Sequence, residues 1–449
     1  MRPIRSILLA LLTTLTLLWL LSMDLSGLKP SYFSIRYFVV QYSGVLLMGI
    51  MSVAMVLALR LPAIERITGG LDKAYRLHKW LGIATLVVGA LHWYWAKGTK
   101  YLVRSGILER PQRGARPELD PASIEALLRS QKKLAEIAGE WAFYLLLGLL
   151  VLSLLKRVRY SLFRYSHKLI AATYLIFVFH SVVLLRFDQW LTPNGIALAL
   201  LMTLGSVAAV VSLFDRIGRR RRVHGQITQA EIEPDPSVIR LTVDTHGRWP
   251  GHRDGQFAYL GFKGESPHPY TLSASDRGDG KISFSIKALG DHTTELLQQT
   301  QAGTLTGQCV TVEGPYGQFG FDHSASEQIW IAGGIGLAAF TARLDALAHQ
   351  PAAQKQPARI TLFYCTRAAS PESIAQLESL AQQAGIQLKV IDSAKRDRLD
   401  VQDLDAVVTD WQDTAVWFCG PTHFGLTLKA AVRKHNARID FHRELFEMR

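Results

Sequence analysis

The sequence predicts a multi-domain protein: a six-helix transmembrane bundle, then an antiparallel β-barrel domain, then an α/β domain with a doubly wound parallel sheet. Three observations support this prediction. The 449 residues suffice for two or three domains, and 49% of them are hydrophobic while only 19% are charged. Long apolar runs are confined to residues 1–222. Short alternating strands follow over 223–322, and alternating strands and helices over 323–449, which gives the three domains.

The charge and the cysteines exclude several classes of protein. The net charge of +13 would suit nucleic acid binding, but many basic residues flank the apolar runs, which indicates membrane topology instead. The three cysteines, Cys309, Cys365 and Cys419, all lie in the second half of the chain. They are too few for a disulfide framework or for a four-thiolate iron–sulfur cluster.

Six apolar segments are long enough to cross a bilayer, whose core takes roughly 20 residues of helix. They lie at about residues 4–22, 35–59, 75–96, 140–155, 168–186 and 195–214. The first could be a signal peptide, but no small-x-small cleavage site follows it, so we expect a retained anchor. Basic residues follow the second, fourth and sixth segments, which predicts that both termini are cytoplasmic. The basic loop 97–139, on the outer side, is the exception.

The first 222 residues contain four histidines, all in the third and fifth predicted spans. His78 and His92 are 14 residues apart, and His167 and His180 are 13 apart, about 20 Å along a helix in each case. The two spans run in the same direction, so we expect His78 to face His167 on the cytoplasmic side and His92 to face His180 on the outer side. Two bis-histidine sites of this kind suit two b-type haems. The sequence has no C-x-x-C-H motif, so the haems would be held non-covalently.

Helical periodicity fits one pair of histidines better than the other. Fourteen steps return to within about 40° of the start, whereas thirteen leave His167 and His180 about 140° apart. We therefore expect a π-bulge or kink in the fifth span. Small residues beside the histidines would let a porphyrin approach closely; they are Gly82, Gly89, Ala90, Ala171 and Ala172. The alternatives are helix-packing histidines, or a transporter or sensor that binds a transition metal.

These spacings resemble those of the ferric reductase and NADPH oxidase (NOX) superfamily, and the resemblance extends from about residue 35 to 449. Within the superfamily, the sequence resembles both bacterial ferric-reductase-like proteins and bacterial NOX-like proteins. It implies a six-span di-haem domain in a bacterial-type inner (plasma) membrane. It also implies a cytoplasmic module of the ferredoxin-reductase type that binds FAD and NAD(P)H.

The second domain contains the motifs expected for FAD. The segment from His268 to Ser273 resembles the superfamily's flavin motif, which implies that Tyr270 packs on the isoalloxazine and that Thr271 hydrogen-bonds near its reactive edge. Lys287 and the following residues resemble the pyrophosphate clamp, with a helix expected to start at about Thr293. The residues implied to bind FAD are His268, Pro269, Tyr270, Thr271, Ser273, Lys287, Gly290, His292 and Thr293. Glu313–Gly317 resembles the turn that closes the barrel.

The third domain contains motifs that resemble a nicotinamide site. The glycine-rich turn after a buried strand consists of Gly333, Gly334 and Gly336, although Ala339 replaces the usual proline. The C-G-P motif consists of Cys419, Gly420 and Pro421. The resemblance places Cys419 near the nicotinamide.

Two further residues are candidates for handling the nicotinamide nucleotide. Arg367 follows a strand end, where it could meet the ribose or its 2′-phosphate, so we expect NADPH in preference to NADH. Phe446, in the C-terminal tail, is expected to cover the flavin face. Cys419 and Phe446 are therefore the candidate catalytic residues.

The sequence thus predicts electron transfer from cytoplasmic NAD(P)H through FAD and two haems to an acceptor on the outer side. The resemblance leaves two acceptors open, a ferric chelate or dioxygen. Animal oxidases of the superfamily often carry a second histidine at the position of Ala96, so its absence here favours a ferric reductase. Arg36 is a candidate partner for a haem propionate. The expected partners are the lipid bilayer and a small-molecule acceptor, and no nucleic acid.

Overall fold

The computed structural model describes residues 2–23, 31–109, 119–155, 160–350, 358–395 and 398–444. These residues form two compact units. The first unit contains the chain up to Ile217, and the second contains the chain from Gly218 together with Gly69–Asp72. The predicted boundary at 322/323 therefore falls inside the second unit.

Helices joined by short turns make up the described residues of the first unit. Its helices are α1 (Arg2–Leu21), α2 (Tyr32–Leu57), α3 (Pro62–Thr68), α4 (Leu71–Arg104), α5 (Ile124–Ser130), α6 (Lys132–Leu154), α7 (Tyr160–Leu184) and α8 (Pro193–Leu213). Side-chain caps begin several of them: Ser31 accepts a hydrogen bond from the Ser34 amide, and Thr192 accepts one from the Gly195 amide. Pro193 occupies the first turn of α8, where its missing amide proton costs nothing.

Five helices of the described residues are long and apolar enough to cross a membrane. They are Ile4–Leu21, Tyr32–Leu57, Lys132–Leu154, Leu162–Leu184 and Pro193–Leu213. The predicted span at 75–96 lies within the 34-residue helix α4, which is not among the five. Charged residues at both ends of α4, together with His92 and its aromatic neighbours, reduce its hydropathy. The predicted count of six spans is therefore not confirmed.

The bundle core lies between α2, α7 and α8. Tyr174 of α7 is fully buried there and its Oη lies 2.8 Å from Ser52 Oγ of α2. A Cβ atom at Gly205 of α8 would lie only 2.1 Å from Tyr174 Oη, so a glycine is needed for α8 to approach this closely. The packing of the three helices thus centres on one buried hydrogen bond.

The bundle has two distinguishable ends. Lys168, near the start of α7, makes an ion pair of 2.7 Å with Asp215, just after α8. The first unit ends two residues later, at Ile217. We call this end, which carries His167, the proximal end, and the opposite end of α7, which carries His180, the distal end.

The second unit begins with an antiparallel sheet. Its strands are β1 (Arg222–Ile232), β2 (Val238–Asp244), β3 (Phe257–Gly261), β4 (His268–Thr271), β5 (Lys281–Lys287) and β6 (Cys309–Tyr316), with α9 (Asp291–Gln301) between the last two. The strand order is β4-β3-β6-β1-β2-β5. A single bridge, Leu272 to Phe284, joins the two edges. The antiparallel sheet is confirmed, whereas the closed barrel stays a prediction.

A parallel sheet follows in the same unit. Its elements are β7 (Glu327–Gly333), α10 (Ala338–His349), β8 (Arg359–Thr366), α11 (Pro371–Ala384), β9 (Gln387–Asp392), α12 (Val401–Asp405), β10 (Thr414–Cys419), α13 (Thr422–His435) and β11 (Asp440–Arg443). The strand order β11-β10-β7-β8-β9 has its topological switch between β7 and β10. Helices α10 and α11 pack in one core cluster and α12 and α13 in another, so the predicted doubly wound sheet is confirmed.

Polar contacts join the two sheets of the second unit. Asp345 of α10 accepts hydrogen bonds from the amide and the hydroxyl of Ser275, at 3.1 and 2.6 Å. Arg343, also on α10, makes an ion pair of 3.4 Å with Asp254. These contacts fix the segment after β4 against the first helix of the parallel sheet.

Glu327, at the start of β7, provides a test of this fold. Burial would raise the pKa of this carboxyl, but hydrogen bonds from the Thr409 hydroxyl and amide, with Arg359 nearby, lower its pKa below the ordinary value of 4.5. A lowered pKa means that the charged form stabilises the fold above pH 4.5 and that this stability is lost on further acidification. We expect Glu327→Gln to be about 1–2 kcal/mol less stable at pH 7 and less sensitive to acid below pH 4.5.

The measurement is thermal unfolding of the full chain in detergent over a pH series. Glu372→Gln is the control, because Glu372 lies in the first turn of α11 and its carboxylate forms no such network with the residues that the structure describes. Equal acid sensitivity of the wild type and Glu327→Gln would contradict the assignment.

Candidate functional site

The structure brings the histidines together in the predicted pairs. The rings of His78 and His167 have centroids 5.8 Å apart, with 59° between their planes. His92 and His180 line one cavity of about 370 Å³. Each pair thus joins α4 to α7, one at the proximal end and one at the distal end.

Each histidine has a hydrogen-bond partner at Nδ1. On α4, His78 Nδ1 lies 2.9 Å from the Ala54 carbonyl and His92 Nδ1 lies 2.9 Å from Ser43 Oγ. On α7, His180 Nδ1 lies 2.8 Å from the Ala135 carbonyl and His167 Nδ1 lies 3.2 Å from Ser153 Oγ. Both histidines of α4 therefore use partners on α2, and both histidines of α7 use partners on α6.

These partners determine which nitrogen carries the proton. A carbonyl can only accept, so His78 and His180 donate from Nδ1. Ser43 Oγ donates its own proton to the Val39 carbonyl at 2.6 Å, so it accepts from His92. Ser153 Oγ likewise donates to the Leu149 carbonyl at 2.7 Å, so it accepts from His167. All four rings thus keep the Nε2 lone pair, which is the atom a metal would use.

The fifth predicted span differs from the expectation. Helix α7 is a continuous α-helix from Tyr160 to Leu184, with no π-bulge. The approach of α6 accommodates the angular offset of His180: a Cβ atom at Gly139 would lie 2.1 Å from His180 Nδ1. Because Gly139 lies four residues after Ala135, its missing side chain also leaves the Ala135 carbonyl open to the ring. The role of Gly139 was not predictable from the periodicity of α7, because Gly139 belongs to a different helix.

Charged residues surround the cavity of the distal pair. Arg36 lines it, and its guanidinium donates to the carbonyls of Trp95 and Ala96 at 3.1 and 2.9 Å. Lys97 makes an ion pair with Glu140 in the same lining. The remaining charged residues of the lining are Lys100, Lys132 and Glu136. The role of Arg36 towards a propionate stays a prediction.

In the antiparallel sheet, two hydroxyls of the flavin motif are buried without a hydrogen-bond partner among the described residues. They are Tyr270 Oη, on β4, and Ser273 Oγ, just after it. Burial, with a smaller effect of Glu265, raises the pKa of Tyr270, so this phenol is neutral and able to donate. Buried hydroxyls of this kind are rarely left unsatisfied in proteins, so they fit a bound polar group such as the flavin ring.

A stacked histidine pair lies beside this motif. The rings of His268 and His292 have centroids 4.2 Å apart with 19° between their planes, and His292 Nδ1 lies 3.2 Å from Glu265. Burial, and then the charge of His292, lowers the pKa of His268 to about 4, so His268 is neutral at pH 7. His292 Nε2 is buried with no partner in the described part of the chain. The predicted residues His268 and His292 are thus brought together.

The predicted pyrophosphate clamp has other contacts in this structure. Lys287 makes an ion pair of 3.0 Å with Asp235. Helix α9 begins at Asp291, two residues earlier than predicted. Thr293 Oγ1 accepts from the amides of Leu289 and Gly290, at 2.9 and 3.1 Å, and so caps the helix. Contacts of these residues with phosphate stay a prediction.

The two motifs of the nicotinamide site meet at the switch of the parallel sheet. Gly334 has φ +55°, and a Cβ atom at Gly336 would lie 2.2 Å from the Cys419 carbonyl oxygen. A Cβ atom at Gly420 would lie 3.0 Å from Gly333 Cα, so the two turns pack backbone against backbone. A crevice at such a switch is where doubly wound sheets bind ligands.

The other residues predicted for this site differ from one another in their burial. Cys419 is fully buried, and burial, reinforced by the Glu444 carboxylate, raises the pKa of its thiol. Glu444, itself buried, was missed by the sequence analysis; its only signal is an acidic residue after the last short strand. Arg367 is exposed just beyond β8, and no residue in the described ranges pairs with it. Phe446 lies outside the described residues.

Comparison with known families gives two matches. Residues 43–178 match the ferric reductase like transmembrane component, and residues 224–319 match an FAD-binding domain. The first match contains His78, His92 and His167 and ends just before His180. Both confirm the resemblance drawn from the motifs.

Among characterised proteins, the chain is similar to two oxidoreductase-related sequences. It is 26% identical over 153 residues to the xylene/toluene monooxygenase electron transfer component of Pseudomonas putida, which is 33% of this chain and 39% of the relative. It is 24% identical over 213 residues to respiratory burst oxidase homolog protein E of Arabidopsis thaliana, which is 42% of this chain and 22% of the relative. The chain thus spans well under half the length of either relative.

Among solved structures, it is similar to the Amycolatopsis cytochrome P450 reductase, with a TM-score of 0.42 and 20% identity over 50% of this chain and 70% of the other. It is also similar to the cytochrome b5 reductase domain of Ulva prolifera nitrate reductase, with a TM-score of 0.42 and 17% identity over 50% and 98% of the two chains.

Removing the buried hydroxyl of Tyr270 tests whether this group contacts the flavin or stabilises the fold. We expect Tyr270→Phe to bind FAD roughly tenfold more weakly, because a hydrogen bond to the cofactor is lost. The flavin-free variant should be as stable as the wild type or about 1 kcal/mol more stable, because an unsatisfied buried hydroxyl is removed. The measurements are FAD titration by flavin fluorescence and thermal unfolding of the flavin-free protein. Tyr364→Phe, on β8 of the other sheet, is the control. Unchanged FAD affinity in Tyr270→Phe would contradict the assignment.

Proposed function

We propose that this chain, which fits the ferric reductase and NADPH oxidase superfamily, is an NAD(P)H-dependent membrane oxidoreductase. It carries electrons from a nicotinamide nucleotide across the membrane to a ferric chelate. The observation that carries this proposal is the pair of histidine sites at opposite ends of one helical bundle, each with its Nε2 atoms available.

The donor set favours haem over a bare metal ion. Each site offers two imidazoles, whereas a zinc ion usually takes three or four protein ligands. A haem brings four nitrogen ligands with it, so two imidazoles from the protein would suffice to hold it. His78 and His167 would hold one haem, and His92 and His180 the other. This argument favours a cytochrome over the metal transporter or sensor.

The second unit supplies the reductase half of the proposal. When bound, FAD accepts two electrons as a hydride and releases them singly, and haem iron carries single electrons. Tyr270 and Ser273 would bind and orient the flavin with the two buried hydroxyls that have no protein partner in the described ranges. Gly334, where a Cβ atom would meet nothing within 4 Å, would let the nucleotide approach the backbone of its turn.

Residues at the carboxyl end of β10 would shape the nicotinamide site. The raised pKa of Cys419 keeps its thiol neutral, so it adds no charge beside the cationic oxidised nicotinamide. The Glu444 carboxylate lies near that thiol and would favour the positive ring. Phe446, two residues further on, would cover the flavin until the nicotinamide displaces it.

The expected direction of transfer is from the proximal to the distal end. The second unit follows the proximal end in the chain, so the flavin would supply the His78/His167 site first. Basic residues around α3, α7 and the end of α8 favour the cytoplasmic side for this end. The acceptor would then react at the distal end.

Loss of the distal site tests this proposal. We expect His180→Ala to retain one low-spin haem of two, because His92 alone cannot supply both axial ligands. Reduction of a soluble dye by NADPH should persist, and reduction of ferric citrate outside sealed vesicles should fail. Haem is measured by pyridine haemochrome, and the reductions are followed with and without oxygen.

His349→Ala, a histidine of α10 in the second unit, is the control and should retain both haems. Two low-spin haems in His180→Ala, or no haem in the wild type, would contradict the proposal. Superoxide formation without ferric reduction in the wild type would instead favour dioxygen as the acceptor.

Arg367 tests the preference between nucleotides. Its exposed guanidinium could bind the 2′-phosphate of NADPH, which NADH lacks. We expect Arg367→Ala to raise the KM for NADPH roughly tenfold and to leave that for NADH nearly unchanged. Steady-state dye reduction with both nucleotides checks this. An equal rise for both nucleotides would contradict the role.

A further inference from the structure

A second cavity lies at the distal end of the bundle. Its volume is about 460 Å³, within the range of small-molecule sites. Its walls come from α5, the first residue of α6 and the segment 183–188 at and after the end of α7. All of these belong to the first unit.

The cavity is lined by more cations than anions. The basic residues are Arg129, Lys132 and Arg186, and the acidic residues are Glu125 and Asp188. Both acids are already paired: Glu125 lies 3.5 Å from Arg129, and Asp188 makes an ion pair with Arg186. Lys132 makes no ion pair with any residue that the structure describes. The lining of this cavity therefore carries a net charge of +1.

This cavity adjoins the one that contains the distal histidines. Lys132, Leu184 and Leu185 line both. Leu184 lies one helical turn after His180, so a molecule in the second cavity would lie within a few turns of helix of that histidine. Arg186 also hydrogen-bonds to Tyr37, which lines the histidine cavity. The two spaces thus have common walls.

We propose that this cavity binds the carboxylates of an anionic ferric chelate of the citrate type, with Lys132 as its main electrostatic contact. The inference rests on the proposed function, because that function supplies the electron. Charged walls attract an anion, whereas neutral dioxygen gains little from them. His92 and His180 would hold the haem that supplies the single electron, and this electron would reduce the chelated Fe(III) to Fe(II). The chelate gains one negative charge, and no bond is made or broken.

Binding can be measured without any electron transfer. The probe is gallium(III) citrate, which has the charge and shape of the ferric complex but is not reduced under these conditions. We expect it to bind the full chain in lipid nanodiscs, and Lys132→Gln to weaken this binding about fivefold. Lys132→Arg should bind like the wild type. Lys133→Gln removes the same charge one residue away, outside the cavity lining, and should also bind like the wild type.

The kinetic counterpart separates binding from chemistry. Lys132→Gln should raise the KM for ferric citrate about fivefold and leave kcat and dye reduction unchanged. High salt should reduce the difference between the wild type and Lys132→Gln, because exposed charges are screened.

Failure of this site and failure of the proposed function give different results. If the wild type binds gallium citrate through Lys132 but contains no haem, the site stands and the function is wrong. Equal weakening by Lys133→Gln and Lys132→Gln would overturn the site, since it would show a diffuse surface charge. A shifted haem spectrum in Lys132→Gln with unchanged gallium citrate affinity would also overturn it, because Lys132 would then contact a haem propionate.

Discussion

The interaction on which the bundle depends is the hydrogen bond at each histidine Nδ1. A buried imidazole loses its hydration, so its N–H group needs a fixed acceptor. The acceptors come from only two helices: α2 serves both histidines of α4, and α6 serves both histidines of α7. The contacts between helices therefore set the orientation of every ring, and the pairs meet between α4 and α7 as a result.

The spacing of the histidines predicted which of them would pair, because axial rise along a helix depends on residue number alone. Their azimuth was not predictable in the same way. Thirteen residues of ideal helix leave His167 and His180 on different faces, and the expected correction was a bulge in α7. In the structure α7 is a regular helix, and the ring of His180 fits against the neighbouring helix α6 because Gly139 there has no side chain. The sequence around a glycine does not indicate that a side chain from another helix fills the space left by its missing Cβ atom.

In the nucleotide-binding half, too, some contacts were predictable from the sequence and others were not. Its motifs predicted which turns would meet, because the carboxyl ends of adjacent parallel strands share one edge, and the turns after β7 and β10 are in contact. Partners that are distant in sequence were missed. Asp235 pairs with Lys287 across 52 residues, and Glu444 is buried near Cys419 although its own charge and that of the preceding Arg443 would predict exposure. The predicted count of six spans is not confirmed for a related reason, since the polar side chains of α4 reduce the hydropathy on which such counts depend.

The serine partners of His92 and His167 determine how rigidly these two rings are held. Each hydroxyl is anchored to a carbonyl of its own helix, so the direction of the acceptor is set by that helix alone. An imidazole that donates to such a hydroxyl has both its tautomer and its ring orientation fixed by the packing of the helices. The side-chain entropy of the two rings is therefore lost when the bundle packs, and a ligand at their Nε2 atoms would meet preorganised lone pairs.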